Sequence, residues 1–221
     1  MVDLLAVCAH PDDLEVCAGG IFIKAKREGL TTGLIILTDG AASGQAELEE
    51  RQHEAAEGAK RLGLDYFVQM GFPDAALAFT QQAVQALIPH LRKAAPRLIF
   101  TLHQADYHPD HVAASKITEA AAFAAQLKKH AQGGGEWHYE AILYFSADMR
   151  TNPQRPQLLF DISDVIEEKR QACDAHASQE VTEFALGYSQ SLGRMAGVPY
   201  AEGLYLGQVL VMDEVKGLLR T

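Results

Sequence analysis

The chain reads as an α/β protein with a Rossmann-like, mostly parallel sheet flanked by helices. Three observations predict this. Short apolar runs bounded by Gly or polar turns alternate with helical patterns along most of the length. Two of those runs, Leu4–Cys8 and Leu98–Leu102, are apolar on both faces, as strands buried in a parallel sheet are. Each is followed at once by a cluster of ionisable side chains, which places a candidate site at the C-terminal edge of the strands.

The elements follow in order. After the first strand, a Gly19-Gly20 turn leads to a helix over 21–28, stopped by Gly29. Residues 33–38 form a second buried strand, and the polar loop 39–45 leads into a long helix over 47–62, stopped by Gly63. A short strand covers 66–68, and Phe72-Pro73-Asp74 opens a loop. A helix over Gln81–Ala94 precedes the Leu98–Leu102 strand, and an Ala-rich helix spans 112–130. Gln132-Gly133-Gly134-Gly135 is the strongest internal break. About 85 residues follow it, short for an independent domain. Residues 1–221 are therefore read as a single domain whose part from about 136 is less regular, with strands at Ala141–Phe145 and Leu158–Asp161 and helices from about Ser163 and Thr182.

Bulk properties exclude several classes. With 48% hydrophobic and 22% charged residues in 221, the chain is ordinary for a globular protein with a sizeable core. A formal net charge of -10 and no Lys/Arg run argue against a nucleic-acid partner. No apolar stretch reaches the ~18 residues of a membrane span, and the N-terminus lacks a signal-like pattern, so a cytoplasmic protein is expected. Three irregularly spaced cysteines, Cys8, Cys17 and Cys173, argue against a disulfide framework; Cys8 reads as a small buried hydrophobe.

The chemistry lies in two boxes, His10-Pro11-Asp12-Asp13 and His108-Pro109-Asp110-His111. A single His-Pro-Asp is weak, since Pro and Asp suit the turn after a strand. Two of nearly the same form, both at strand ends, are not. His10 and Asp13 are three residues apart, as are His108 and His111, and on a helix that spacing shares a face. Two imidazoles and a carboxylate make a catalytic zinc set with a position left for water. His10, Asp13, His108 and His111 compete for the three places. Asp12 points elsewhere and is available as a proton acceptor. Asp110 is placed to hold or charge an imidazole that stabilises a growing oxyanion. The other histidines, His53, His90, His103, His130, His138 and His176, read as surface or loop residues, His176 with least clarity.

Ala9-His10-Pro11-Asp12-Asp13-Leu14-Glu15, the Gly19-Gly20 turn and His108-Pro109-Asp110-His111 together resemble the LmbE-like zinc-dependent de-N-acetylases. That family includes the mycothiol and bacillithiol deacetylases and the N-acetylglucosaminyl-phosphatidylinositol de-N-acetylases. Weaker matches are Thr38-Asp39-Gly40, the helix with Arg51 and Glu54, Gly71-Phe72-Pro73-Asp74 and Tyr200-Ala201-Glu202.

The resemblance implies Zn2+, or another divalent metal, on His10, Asp13 and His111. It implies Asp12 as general base and a protonated His108 as partner of the oxyanion. It also implies Arg51 at the substrate and Tyr200 assisting the tetrahedral intermediate. The implied activity removes an acetyl group from an N-acetylglucosamine-type amino sugar or conjugate, in a homo-oligomer with a small-molecule substrate and no membrane partner. Asp39 departs from many relatives, which puts substrate contacts there in doubt. The rival readings are a zinc hydrolase of another acyl amide or ester, and a non-catalytic metal-binding module. A dinucleotide-binding protein is disfavoured, because no Gly-x-Gly-x-x-Gly follows Val7.

Overall fold

The computed structural model describes residues 1–130, 136–146, 148, 152 and 154–210. The glycine break at 132–135 lies outside them. Seven strands among the described residues form one sheet in the order β3-β2-β1-β4-β5-β7-β6. They are β1 (Leu4–Cys8), β2 (Thr32–Thr38), β3 (Tyr66–Phe72), β4 (Leu98–Leu102), β5 (Ala141–Phe145), β6 (Leu158–Asp161) and β7 (Ala201–Leu206). The first five pair in parallel, while β7 runs antiparallel to both β5 and β6. The helices are α1 (Asp13–Arg27), α2 (Leu48–Arg61), α3 (Gln81–Ala94), α4 (Pro109–Ala125), α5 (Ile166–Cys173) and α6 (Thr182–Ala196).

The strand order explains why the two boxes meet. β1 passes to β2 on one side and lies beside β4 on the other, so the winding reverses between β1 and β4. Helices leaving neighbouring strands at such a switch point diverge and open a crevice at the carboxyl edge. The loops after β1 and β4, which carry the boxes, form its two sides. β1 is buried along its whole length, as is β2, and Phe22 of α1 packs edge-on against Phe100 of β4 at 5.3 Å. Cys8, Cys17 and Cys173 are buried free thiols in this core.

Two helix starts differ from the sequence expectation, as do β3, which runs on to Phe72, and β7, a strand that no local pattern marks. Gly19 and Gly20 do not form a turn; they lie inside α1, which begins eight residues earlier than periodicity indicates. The reason is tertiary. A Cβ on Gly20 would sit 2.8 Å from Ile162, so glycine lets the segment before α5 close against the helix. A fully buried ion pair, Lys169 to Glu202 at 2.6 Å, clasps the same turn. Lys169 Nζ donates to the carbonyls of Glu15 and Val16, and Glu202 accepts from the N–H groups of Gly20 and Ile21. Tertiary bonds at the helix backbone thus offset the two glycines' poor propensity. At α4 the helix starts at Pro109, not 112, because proline suits the first helical position and His108 caps it.

Candidate active site

Each box is shaped by a helix start. After β1 the chain turns through Asp12, which caps α1 with φ 121°, a left-handed conformation that strains a residue with a Cβ. That turn sends Asp13 into the first helical position, where its Oδ2 accepts the His10 N–H at 2.8 Å. After β4, His108 caps α4, and its Nδ1 accepts the Asp110 N–H at 3.2 Å. His111 follows in the first turn.

His10, Asp13 and His111 converge. His111 Nε2 lies 3.2 Å from His10 Nδ1 and 3.2 Å from Asp13 Oδ1, while His10 Nδ1 lies 3.7 Å from Asp13 Oδ2. Ligand atoms at about 2.0–2.2 Å from a tetrahedral zinc stand roughly 3.3–3.5 Å apart, so the triangle has the right size. The far side of each ring fits as well. His10 Nε2 faces Asp74 Oδ1 at 3.2 Å and Asp110 Oδ2 at 3.3 Å, and His111 Nδ1 lies 3.0 Å from Asp106 Oδ1. An imidazole ligand whose second nitrogen meets a carboxylate is the usual arrangement around a bound metal. Two other groupings of donors are close enough to compete: His10 with His108 and His111, and His10 with Asp74 and Asp110.

The electrostatics draw positive charge to this point. Burial lowers the His10 imidazolium, but Asp13 and Asp74 outweigh it and raise the group to about 11. His111 is likewise lowered by burial and lifted to about 9 by Asp13 and Asp106. Burial pushes Asp13 up, yet His111 and His10 hold it well below the ordinary carboxylate range. Asp74, bonded to His10, is pulled down to about 2. Asp12 is the exception. Burial pushes its carboxyl up to about 6 against the pull of His176 and Arg51, close to the range suited to a general base.

His108 sits beside the triad, its ring 4.7 Å from both His10 and His111. His108 Nδ1 accepts the Asp110 N–H, a bond that suits an imidazole carrying its proton on Nε2. Burial and the neighbouring histidines favour the same form. Asp110 is the carboxylate expected to hold or charge an imidazole. Its carboxylate faces His10 and accepts the Leu77 N–H at 3.2 Å, while only its backbone holds His108.

Arg51 reaches the cavity wall but is 2% exposed, and its donors are engaged with protein. Nε donates to the Gly40 carbonyl at 3.0 Å, Nη1 to Glu54 at 2.7 Å and Nη2 to the Pro11 carbonyl at 3.0 Å, with Asp12 Oδ2 3.5 Å away. Glu54 in turn accepts the Ser178 N–H and hydroxyl. Gly40 is needed here: φ is +69°, and a Cβ would stand 2.5 Å from Pro11 Cδ. Asp39 does not line the cavity; its Oδ1 accepts the N–H groups of Ala41 and Asp74 and so sets the loop that carries Asp74.

Tyr200 is not brought to the site. The β6–β7 register pairs Ala201 with Asp161 near the sheet's far edge, and Tyr200 lies just before it, its N–H donating to Ser163 Oγ and its carbonyl accepting from Ile162. His103 and His176 are buried, not surface residues; His176 Nε2 lies 3.3 Å from Glu15 Oε1. The motif alone assigns no role to Asp106, although it stands two residues before His108. Its Oδ1 also accepts the His108 N–H and its Oδ2 the Ser146 hydroxyl, so one carboxylate ties both histidines of the second box to β5's end.

These groups open into a cavity of about 820 Å³, with Tyr107 and Phe184 on its wall. No helix among the described residues is long and apolar enough to cross a membrane.

Comparison with known proteins agrees with the geometry. The conserved protein TT1542 of Thermus thermophilus has the same fold, with a TM-score of 0.87 and 37% identity over 96% of this chain and 98% of that one. GalB, the 4-carboxy-2-hydroxymuconate hydratase of Pseudomonas putida, superposes at a TM-score of 0.85 with 22% identity over 97% of this chain and 100% of its own, a likeness of fold alone. The diacetylchitobiose deacetylase of Thermococcus kodakarensis is 28% identical, across 91% of this chain and 81% of its own length. The PIG-L family, GlcNAc-PI de-N-acetylase, matches residues 5–122, a stretch that holds both boxes, Arg51 and Asp106. With both boxes at the switch point of this sheet, the chain belongs to the PIG-L, or LmbE-like, family of de-N-acetylases.

Proposed function

We propose that the protein is a metal-dependent N-deacetylase that hydrolyses the acetamide of an N-acetylglucosamine-type sugar or conjugate. The observation that carries this reading is the pairing of His10 and His111: one nitrogen of each ring faces the Asp13 carboxylate, the other a second carboxylate. His10, Asp13 and His111 would hold a divalent cation, and two imidazoles with one carboxylate suit zinc. When bound, such an ion supplies a lowered pKa for water and polarises the amide carbonyl.

The chain's own groups supply the rest. Asp12, outside the triangle and half-buried, accepts a proton from the attacking water and returns it to the departing amine. His108, neutral and capped through Nδ1, presents Nε2–H to the oxyanion as charge develops. Arg51 braces the strained Asp12 turn from behind through the Pro11 carbonyl. The diacetylchitobiose deacetylase relative supports an amino-sugar substrate. The continuity of β7 and β6 with the parallel strands supports reading the chain as one domain. Metal analysis together with an amine-release assay on a panel of N-acetylglucosamine conjugates tests the proposal. Acetate release that is lost on chelation and restored by a divalent metal is expected; turnover that survives complete metal removal would sink it.

A further inference from the structure

Two buried ionisable groups close to the site have no part in the chemistry above. Glu15, on the first turn of α1, and His176, in the segment after α5, are each 1% exposed. A glutamate is almost never fully buried unless it is paired, and these two groups pair: His176 Nε2 lies 3.3 Å from Glu15 Oε1. α2 makes room for the contact at Gly58, where a Cβ would stand 2.4 Å from Glu15 Oε1 and 2.8 Å from His176 Nε2. Three elements thus close on one ion pair. Such a pair adds little net stability, because desolvation offsets the attraction. Its place in the fold points to another use.

That place is around Asp12. Glu15 belongs to the helix that Asp12 caps. Just past His176 the chain is fastened to the other side of the same turn. Ser178 donates its N–H and hydroxyl to Glu54, and Glu54 accepts from Arg51 Nη1. Arg51 Nη2 donates to the Pro11 carbonyl and stands 3.5 Å from Asp12 Oδ2. Segment 176–178 therefore grips the Asp12 turn from α1 through one residue and from α2 through another. Charge agrees with this geometry. Among the cations that act on Asp12, His176 exerts the largest pull, ahead of Arg51. The action is mutual: burial would lower the His176 imidazolium, but Glu15 and then Asp12 raise it above its ordinary value. Neither nitrogen of the ring makes a directed hydrogen bond among the described residues, so the ring acts through its charge.

We propose that His176, held by Glu15, is a positioning residue for Asp12: a fixed positive charge inside the strained turn that keeps the Asp12 carboxylate in one orientation without touching the substrate. The proposal rests on the deacetylase reading only for what Asp12 then does; the positioning belongs to the fold.

Two measurements separate these levels. Crystals of zinc-loaded wild type and His176→Gln read positioning whether or not N-acetyl sugars are turned over. Asp12 is expected to hold a single side-chain orientation in wild type and to turn or split in the variant, with His10, Asp13 and His111 unmoved. Amine release from N-acetylglucosamine and N,N'-diacetylchitobiose decides the deacetylase reading itself and supplies the kinetic comparison. His176→Gln is expected to lower kcat about 10- to 100-fold, the scale of a misplaced group, with KM and zinc affinity each within about twofold of wild type. The neutral double variant Glu15→Gln/His176→Gln leaves no charge unpaired in the core. A pair that merely held the fold would let this variant recover kcat together with thermal stability. A positioning charge predicts stability recovered and kcat still low. An unmoved Asp12, a kcat restored in the double variant, zinc lost in step with kcat, or failure of both variants to fold would overturn the proposal.

Discussion

Asp106 Oδ1 stands 3.0 Å from His111 Nδ1, on the side of the ring away from Asp13. A carboxylate there selects the tautomer that leaves Nε2 free to bind a cation and keeps the ring aimed at the triangle. Asp106→Asn should weaken zinc affinity about 10- to 100-fold while leaving the fold intact, read by competition with a calibrated chelator. An unchanged affinity would show that His111 does not need this partner.

Asp12 carries the strain of the first box. Replacing it with Gly removes the Cβ that makes φ 121° unfavourable, so the variant should gain up to about 1–3 kcal/mol of stability while losing the proton acceptor. Asp12→Asn should retain metal and lower kcat by about 100-fold or more. Calorimetric melting and amine release measured on the same two variants check both halves. A Gly variant that is less stable than wild type would mean the turn is not strained.

Arg51 and Glu54 act on that turn from behind. Arg51→Lys loses the fork that spans Gly40, Glu54 and Pro11, and should lower kcat more than it raises KM. The opposite split would return Arg51 to the substrate. Glu54 also gives a pH signature. Burial would raise its carboxyl, but the Ser178 bonds and Arg51 hold it below the ordinary value. A carboxylate lowered on folding stabilises the protein above its unfolded pKa, about 4.3. That contribution fades as pH falls through the lower folded value. Glu54→Gln should therefore flatten the loss of stability below about pH 4.3 in acid titrations of unfolding.

The buried Lys169–Glu202 pair supports α1 at its glycines. Breaking one side, as in Lys169→Met, leaves a carboxylate uncompensated in the core and should cost about 3–5 kcal/mol in denaturant unfolding. A loss below about 1 kcal/mol would show that the pair contributes no more than a surface bridge.

The boxes and the strands before them were legible because local chemistry and burial agree there. Leu4–Cys8 and Leu98–Leu102 are almost wholly apolar, and each is followed within a few residues by a His-Pro-Asp box. What escaped depends on partners far along the chain. Gly19-Gly20 reads as a turn until Ile162, Lys169 and Glu202 are brought against it. His176 resembles a loop residue until Glu15 meets it. The location of Tyr200 follows from the β6–β7 register, which no local pattern records. The cap on His108 is a bond from the Asp110 backbone N–H to Nδ1, invisible in a side-chain motif.

His10 Nδ1, Asp13 and His111 Nε2 are the proposed ligands of the cation. Anomalous diffraction at the zinc edge, from crystals of the zinc-loaded protein, locates the ion. One strong peak is expected about 2.0–2.2 Å from those three groups, with His108 outside the coordination shell. A peak at His10 Nε2 between Asp74 and Asp110, or one with His108 in place of Asp13, would contradict it.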